Sequence, residues 1–164
     1  MIRRCPCPPV TRFRAPAYDD AEVIFMKPTA SLALIGGDLR QAFLAAQFAH
    51  DGHTVAVCAL ERHEFPPGIP AFARPEQCPD GVQAVILPMP VLRDELHLNA
   101  PLSNISLPIG PLLDALPPGM LVLGGAIPEP VFRRAARGRL RVIDYLKREE
   151  LAIRNAVPAA LAKE

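Results

Sequence analysis

The sequence has no tryptophan, only two tyrosines and almost no excess of charge of either sign. Its 18 basic and 17 acidic residues leave a formal net charge of +1 over 164 residues. Nucleic-acid-binding domains usually carry a concentrated basic surface, and single-strand binders also stack bases on aromatic rings. Because both signals are weak here, we predict no nucleic-acid partner.

Long hydrophobic runs are also missing. No apolar run reaches the roughly 20 residues that a membrane span needs, and Arg3 and Arg4 are not followed by the apolar segment of a secretory signal. The four cysteines include no C-x-x-C pair and no zinc-finger spacing with histidine. We therefore expect a cytoplasmic protein with free thiols, no membrane association and no metal site.

The first 30 residues differ from the rest of the chain. Prolines recur from Cys5 to Pro9 and beyond without a helical or strand period, and proline interrupts both kinds of hydrogen-bonded structure. We predict a disordered or loosely attached tail over residues 1–30 and a single domain over residues 31–164. Met26 stands just before the patterned region, so the start codon can be Met1 or Met26.

Short apolar segments alternate with helical patterns from Ser31 onward. The segments predicted as strands are Ser31–Ile35, Thr54–Leu60, Val82–Leu87, Met120–Leu123 and Leu140–Tyr145. The predicted helices are Leu39–Asp51, Ile109–Leu116, Glu129–Arg137 and Arg148–Glu164. Residues 61–80 and 91–108 are predicted as loops, with a small hairpin around Asn99–Asn104.

Five apolar strands with interleaved helices favour a sheet that is covered on both faces. Right-handed crossovers then favour a doubly wound order. We predict an α/β fold: a flavodoxin-like or Rossmann-like three-layer sandwich with a five-stranded, mostly parallel sheet.

The turn after the first strand allows three interpretations. A dinucleotide-binding turn requires G-x-G-x-x-G; with Gly36 as its first glycine, Asp38 and Gln41 occupy the other two positions. A carboxylate at the pyrophosphate position is repulsive, and Glu61 lies two residues late for contacting a ribose. The dinucleotide interpretation is therefore weak.

The second interpretation is a site for a small acid. Gly36 and Gly37 would expose their amides, Asp38 would cap the helix, and Arg40 would offer its guanidinium to a carboxylate. In the third interpretation, Gly36-Gly37-Asp38 is only a tight turn with a helix cap, and Arg40 is a solvated charge. These alternatives stay open at this point.

Ligands of open α/β sheets bind beyond the carboxyl ends of the strands, where the strand order reverses. Besides the first turn, the residues expected there are Pro88, Met89, Gly124 and Gly125. Ser103 and Asn104 lie on the long loop after the third strand, from which they can reach the pocket; the alternative, which we favour, is a solvent-exposed hairpin tip. No general base is assigned, because no histidine has an evident acidic partner in the sequence.

Three stretches, taken together, carry a family resemblance. They are Ile35-Gly-Gly-Asp-Leu-Arg-Gln41, Ala84-Val-Ile-Leu-Pro-Met-Pro90, and Asp144-Tyr-Leu-Lys-Arg-Glu-Glu-Leu-Ala152 followed by Asn155-Ala-Val-Pro158. In this order and at these separations they resemble the N-terminal domain of the dipicolinate synthase A subunit. The resemblance extends from about Ser31 to Pro158.

The resemblance implies an activity and partners. The family converts a dihydrodipicolinate-type precursor to dipicolinate, the calcium chelator of bacterial endospores. Its full-length members add an NAD(P)-binding domain with a true G-x-G-x-x-G, and they work with the flavoprotein-like B subunit of dipicolinate synthase. The N-terminal domain is similar to the catalytic domain of 2-hydroxyacid dehydrogenases.

For this chain the resemblance implies a substrate-side domain that binds a small dicarboxylate and contacts the B subunit. A homo-oligomer is an open alternative for its assembly. The residues expected to bind substrate are Gly36, Gly37, Asp38, Arg40, Gln41, Pro88, Met89, Gly124, Gly125 and Asn155. Because the sequence ends at Glu164, we expect no cofactor to be bound by this chain alone, and we leave open whether it is an enzyme. The alternatives are a non-catalytic assembly module and a minimal dinucleotide-binding domain.

Overall fold

The computed structural model describes residues 29–147. The strands are β1 (Ser31–Ile35), β2 (Thr54–Cys58), β3 (Ala84–Ile86), β4 (Leu121–Gly124) and β5 (Arg141–Asp144). The α-helices are α1 (Leu39–His50), α2 (Ile109–Ala115) and α3 (Glu129–Arg137), and short 3₁₀ turns occupy Pro75–Gln77 and Tyr145–Lys147. Residues 1–28 of the predicted N-terminal tail, the predicted last helix and Asn155 lie outside the described residues.

The five strands form one sheet in the order β2-β1-β3-β4-β5, and every neighbouring pair is parallel. This is the doubly wound, flavodoxin-like order that the sequence predicts, with a fully parallel sheet where a mostly parallel one was expected. The order reverses between β1 and β3, so their carboxyl ends flank the position where such folds bind ligands.

Two apolar cores account for the three layers. On one face, α2 and α3 cover Val85 and Val122 through side chains such as Leu112 and Ala135. On the other face, α1 covers the alternate residues of the inner strands, and its Ala45 is fully buried there. Because both faces of the sheet are covered, β1, β2 and β3 are almost continuously apolar, whereas the edge strand β5 carries Arg141 and Asp144.

Helix α1 begins where the sequence predicts and ends one residue earlier. Asp38 caps its first turn by accepting a hydrogen bond from the Arg40 amide at 2.9 Å. At its other end, Gly52 has a φ of +90°, in the left-handed region that glycine adopts without a steric penalty. Among residues 29–147, no helix is long and apolar enough to cross a membrane.

The crossover from β2 to β3 follows the outer edge of β2 and forms no α-helix. Val57 donates to the Pro70 carbonyl and accepts from Phe72, each at 2.9 Å, through the backbone. The outer edge of β2 is therefore hydrogen-bonded. At the opposite edge, β5 pairs only with β4 within the described part of the chain.

The hairpin predicted around Asn99–Asn104 is present, since an antiparallel bridge joins His97 to Pro108 and the Leu98 amide donates to the Leu107 carbonyl at 2.8 Å. A second antiparallel bridge joins Leu92 to Leu98 and marks an earlier reversal that the sequence did not predict. The side chain of Asp94 stabilises this earlier reversal, because it accepts hydrogen bonds from the Leu96 and His97 amides at 2.9 and 2.8 Å. Ser103 is buried, in contrast to the exposed hairpin tip that was expected.

Candidate functional site

A small cavity lies at the carboxyl edge of the sheet, beside the turns that follow β1 and β3. Its volume is about 110 Å³. The residues that line it are Asp38, Arg40, Gln41, Leu44, Pro88, Met89 and Tyr145. Five of these residues are ones that the sequence predicted for the site, and the fold brings them together from two separate turns.

Asp38 and Arg40 form an ion pair at the mouth of this cavity. Arg40 Nη2 lies 2.8 Å from Asp38 Oδ2, and Arg40 Nε lies 3.1 and 3.0 Å from the two carboxylate oxygens. Hydrogen bonding to Arg40 lowers the pKa of Asp38, and the same contact raises the pKa of Arg40. Both side chains are therefore charged at neutral pH.

The Arg40 guanidinium keeps one donor group for a ligand. Its Nη2 also donates to the Met89 carbonyl oxygen at 3.0 Å, which joins the β1 turn to the β3 turn. Within residues 29–147, Nη1 donates to no protein group, and 64% of the side chain is exposed. Because Asp38 occupies the Nε edge, an incoming carboxylate is restricted to the Nη1 side.

The expectation that Gly36 and Gly37 expose their amides is wrong. Gly36 donates to the Cys58 carbonyl at 2.8 Å, and Gly37 donates to the Asn99 carbonyl at 2.9 Å. The loop after β3 packs against this turn so closely that a Cβ on Gly36 would lie 2.5 Å from Leu98 Cδ2. The two glycines allow this close packing and supply no free amide.

The same contacts decide whether the turn after β1 can bind a dinucleotide. A pyrophosphate needs free backbone amides at the first turn of the helix, but both glycine amides are bonded and Asp38 places a carboxylate beside them. The Glu61 carboxylate accepts a hydrogen bond from the Asn104 amide at 3.0 Å. The described residues of this turn therefore do not fit a nicotinamide dinucleotide.

Gln41 connects α1 to the sheet. Its side-chain Nε2 donates to the Ile86 carbonyl at the end of β3, at 3.0 Å, and the residue is 7% exposed. A Cβ on Gly37 would lie 2.5 Å from Gln41 Cβ. Gln41 therefore fixes the helix against the strand and forms part of the cavity wall.

The two glycines at the end of β4, Gly124 and Gly125, lie against different side chains. Gly125 lies against Met89 and Tyr145, since an added Cβ would be 2.9 Å from atoms of both side chains. Gly124 faces Val91 and Ile127. Only Gly125 therefore contacts residues that line the cavity.

Tyr145 and Asp144 are the residues that sequence reasoning missed at this site. Asp144 is 7% exposed and accepts hydrogen bonds from the Ile127 amide at 3.1 Å and the Leu146 amide at 3.0 Å. Burial raises the pKa of Tyr145, the Asp144 carboxylate adds to the rise, and Arg40 opposes it. The available signal was the Asp144-Tyr145 pair that ends the fifth predicted strand.

Two larger cavities, of about 630 and 650 Å³, lie elsewhere on the surface. The first lies between α2, α3 and the turn at Asp94, and the second lies beside the end of β2. None of the residues predicted to bind substrate lines either cavity, although Asn104 lines the second. The first contains His97, whose Nδ1 lies 3.0 Å from Asp94 Oδ1, so the expectation that no histidine has an acidic partner is wrong.

Two of the three α3 arginines that line the cavity of about 630 Å³ are paired with acids. Arg134 forms an ion pair with Asp114, and Arg133 Nε lies 3.4 Å from Glu129 Oε1. These pairs, with Asp94 and Glu95 nearby, leave no clear excess of charge. Within the described residues, no group of three or more His, Cys, Asp or Glu side chains is arranged to hold a metal ion.

The fold and the cavity define a class of protein: a doubly wound α/β domain with a small polar site where the strand order reverses. The model of one family, the N-terminal domain of the dipicolinate synthase A subunit, matches residues 31–146 of this sequence. The chain belongs to this family.

Solved structures agree with this assignment at the level of the fold. The chain is similar to dipicolinate synthase, A chain, from Bacillus subtilis, with a TM-score of 0.71 and 19% identity over 83% of this chain. It is also similar to the dipicolinate synthase A subunit from Bacillus halodurans, with a TM-score of 0.69 and 18% identity over 82% of this chain. In each case the match covers 46% of the other chain. No curated protein matches the sequence.

Proposed function

We propose that this chain supplies the substrate-side domain of a dipicolinate synthase, in which the small cavity binds one carboxylate of a dihydrodipicolinate-type molecule. The observation that supports this most is the Asp38–Arg40 pair at the reversal point of the sheet. Asp38 and the Met89 carbonyl hold the guanidinium in place, which reduces the entropy lost when a ligand binds.

The size of the cavity limits what the described residues can do. Pockets for whole small molecules usually exceed roughly 300 Å³, whereas this one is about 110 Å³. It can accept a carboxylate and the adjoining edge of a ring, but not a whole dicarboxylate. We therefore assign binding and orientation of the dicarboxylate to these residues, and no chemical step.

The proposal also covers the biological role, the compartment and the partners of this chain. The family resemblance supports a role in making dipicolinate for sporulation, together with the B subunit. We propose in addition that the chain works in the cytoplasm and forms a homo-oligomer. The NAD(P) that the reaction implies is assigned outside the described residues, because the turn at Gly36 does not fit it.

A ligand titration tests the proposed function. Dipicolinate, the stable aromatic product, is added to the full 164-residue chain in a buffer free of divalent cations, which dipicolinate would chelate. We expect the thermal midpoint to rise with ligand concentration and Arg40→Gln to weaken binding at least about tenfold, because the charged donor is lost.

Arg137→Gln is the matched control, because Arg137 is an exposed arginine outside the small cavity. The ligand-induced shift is compared within each variant, so that a change in basal stability does not affect the result. A wild-type chain that shows no shift, or an Arg40→Gln variant that shifts as the wild type does, contradicts the proposal.

A second candidate function is the assembly module, which is favoured by apolar side chains exposed on α1. Leu39 and Phe43 are 53% and 68% exposed, although burial of such side chains is favourable. Isolated exposed apolar residues are ordinary, but two of them one turn apart form a candidate contact surface. If this function is correct, the chain co-purifies with the B subunit, and Phe43→Ser reduces the amount that co-purifies. Dipicolinate then leaves the thermal midpoint of the chain unchanged.

A further inference from the structure

Tyr145 and Arg40 line the same small cavity. Tyr145 follows β5 directly and begins the short 3₁₀ turn Tyr145–Lys147. The residue is half-buried, and no protein group among residues 29–147 forms a hydrogen bond with its hydroxyl group. Every buried side-chain polar atom in this part of the chain has a partner, so this hydroxyl is open to solvent and available to a ligand in the cavity.

The position of the ring is fixed by its neighbours. Asp144 precedes the ring in the chain and accepts hydrogen bonds from two amides, that of Ile127 in the turn after β4 and that of Leu146, which directly follows Tyr145. These bonds fix the backbone that carries the ring to the turn after β4. Gly125 lies beneath the ring, where an added Cβ would be 2.9 Å from Tyr145 Cε2 and Cζ. The hydroxyl is bonded to Cζ, so this packing also restricts where the hydroxyl can lie.

Arg40 and Tyr145 are complementary as donors to one carboxylate. The guanidinium has Nη1 free of partners among residues 29–147, and the phenol is a neutral donor at physiological pH because its pKa lies above the usual value. A carboxylate has two oxygens, each with lone pairs, so one oxygen can accept from Arg40 while the other accepts from Tyr145. The nearby acids, Asp38 and Asp144, already accept hydrogen bonds from protein groups.

We propose that the Tyr145 hydroxyl is the second anchor of the carboxylate site and donates a hydrogen bond to the same carboxylate that Arg40 binds. This inference rests on the proposed function, since it names a further specificity-determining residue of that site. A ligand held at both oxygens has its ring plane oriented relative to the sheet, which a single contact with Arg40 leaves free.

The test combines a conservative variant with a spectroscopic signature. Tyr145→Phe keeps the ring against Gly125 and removes only the hydroxyl. We expect it to weaken dipicolinate binding about tenfold, the usual effect of losing a hydrogen bond to a charged group. Tyr18→Phe, at the only other tyrosine in the chain, is the matched control, and we expect it to bind like the wild type.

The signature comes from carbon-13 NMR of the full chain labelled at tyrosine Cζ. Two tyrosines give two resonances, which the Tyr18→Phe variant assigns. We expect dipicolinate to shift the Tyr145 resonance and to leave the Tyr18 resonance in place. Because this readout uses the wild-type chain, it remains informative even if Tyr145→Phe is poorly folded.

The outcomes separate this inference from the proposed function. If the wild type binds dipicolinate while the Tyr145 resonance stays fixed or Tyr145→Phe binds equally well, the role of Tyr145 is overturned and the proposed function stands. If the wild-type chain does not bind dipicolinate at all, both are overturned. Weaker binding by Tyr145→Phe together with a moving Tyr145 resonance supports the inference.

Discussion

The turns after β1 and β4 both contain a Gly-Gly pair, yet they are stabilised in different ways. At the first turn, the stabilising carboxylate is local, because Asp38 caps the helix that it begins. At the second turn, α3 begins after Pro128 without a side-chain cap. The Ile127 amide there bonds instead to Asp144, a residue 17 positions further along the chain.

The glycines are also needed for different reasons. Gly36 and Gly37 have φ values of +72° and +107°, which side chains disfavour, whereas the left-handed residue of the second turn is Ala126, with a φ of +55°. Gly124 and Gly125 are needed for space, since added Cβ atoms would lie 2.9 Å from Val91 and Met89. Identical dipeptides thus meet a conformational need in one turn and a packing need in the other.

The largest expected effect comes from Gly36→Ala. The substitution combines an unfavourable φ, costing about 1 kcal/mol, with a Cβ 2.5 Å from Leu98, where overpacking costs about 2 kcal/mol. We expect the free energy of unfolding in urea to fall by about 3 kcal/mol in total.

Gly52→Ala is the control for this measurement. Gly52 also has a positive φ, of +90°, but an added Cβ there meets no atom within 4 Å. We expect only the conformational cost, about 1 kcal/mol. Equal losses in the two variants would show that the loop over Gly36 does not pack as closely as described.

A smaller loss is expected when the second turn loses its distant acceptor. Asp144→Ala leaves the Ile127 and Leu146 amides without their partner, and we expect a loss of about 2 kcal/mol. Asp144→Asn, which keeps one acceptor oxygen, should lose less than Asp144→Ala. Asp80→Ala, at an exposed position, should change the free energy of unfolding little; a comparable loss there would contradict a specific role for Asp144.

The smallest effect is expected at the first turn, where the acceptor is partly exposed. Asp38→Ala removes the helix cap and should lower the free energy of unfolding by about 1 kcal/mol at pH 7. Solvent screening keeps the contribution of the Arg40 pair small. A loss as large as that of Asp144→Ala would remove the contrast between the two turns.

The stabilisation that Asp38 provides depends on pH. The pKa of Asp38 is lower in the folded chain than in the unfolded chain, where it is about 3.9. Its stabilising effect is therefore complete above that pH and is lost as the pH falls through the lowered value. The difference between wild type and Asp38→Ala should shrink below about pH 4; a constant difference down to about pH 2 would contradict this assignment.

The elements of the fold were largely predictable because their signals are local. Both α1 and α3 begin at the predicted residues, at an acidic cap and at a glutamate followed by proline, and the five apolar strands lie where their runs occur. The hairpin around Asn99–Asn104 was predicted, but the earlier reversal at Asp94 was missed, because the only interactions that mark it are those of one side chain with amides two and three residues away. A turn signal of that kind is short and common in any loop.

The site was predictable only in part. Sequence spacing indicated Asp38, Arg40 and the residues after β3, because strand ends and helix caps can be located in a sequence. The state of the Gly36 amide depends on Cys58, on the neighbouring strand. Tyr145 lines the cavity because it follows β5, which lies beside β4 in the sheet. The order of strands in a sheet depends on contacts between distant segments, so the local sequence around Tyr145 does not predict it.

The two edges of the sheet differ in whether a further strand can pair with them. The crossover chain near Pro70 and Phe72 already bonds the outer side of β2, so another strand cannot add there without displacing it. Among the described residues, nothing is paired with the outer side of β5, whose Arg141 and Ile143 side chains are exposed. Edge strands with unpaired backbone groups can accept a further strand, so any sheet shared between two copies of this chain, or with a partner, would have to be continuous through β5.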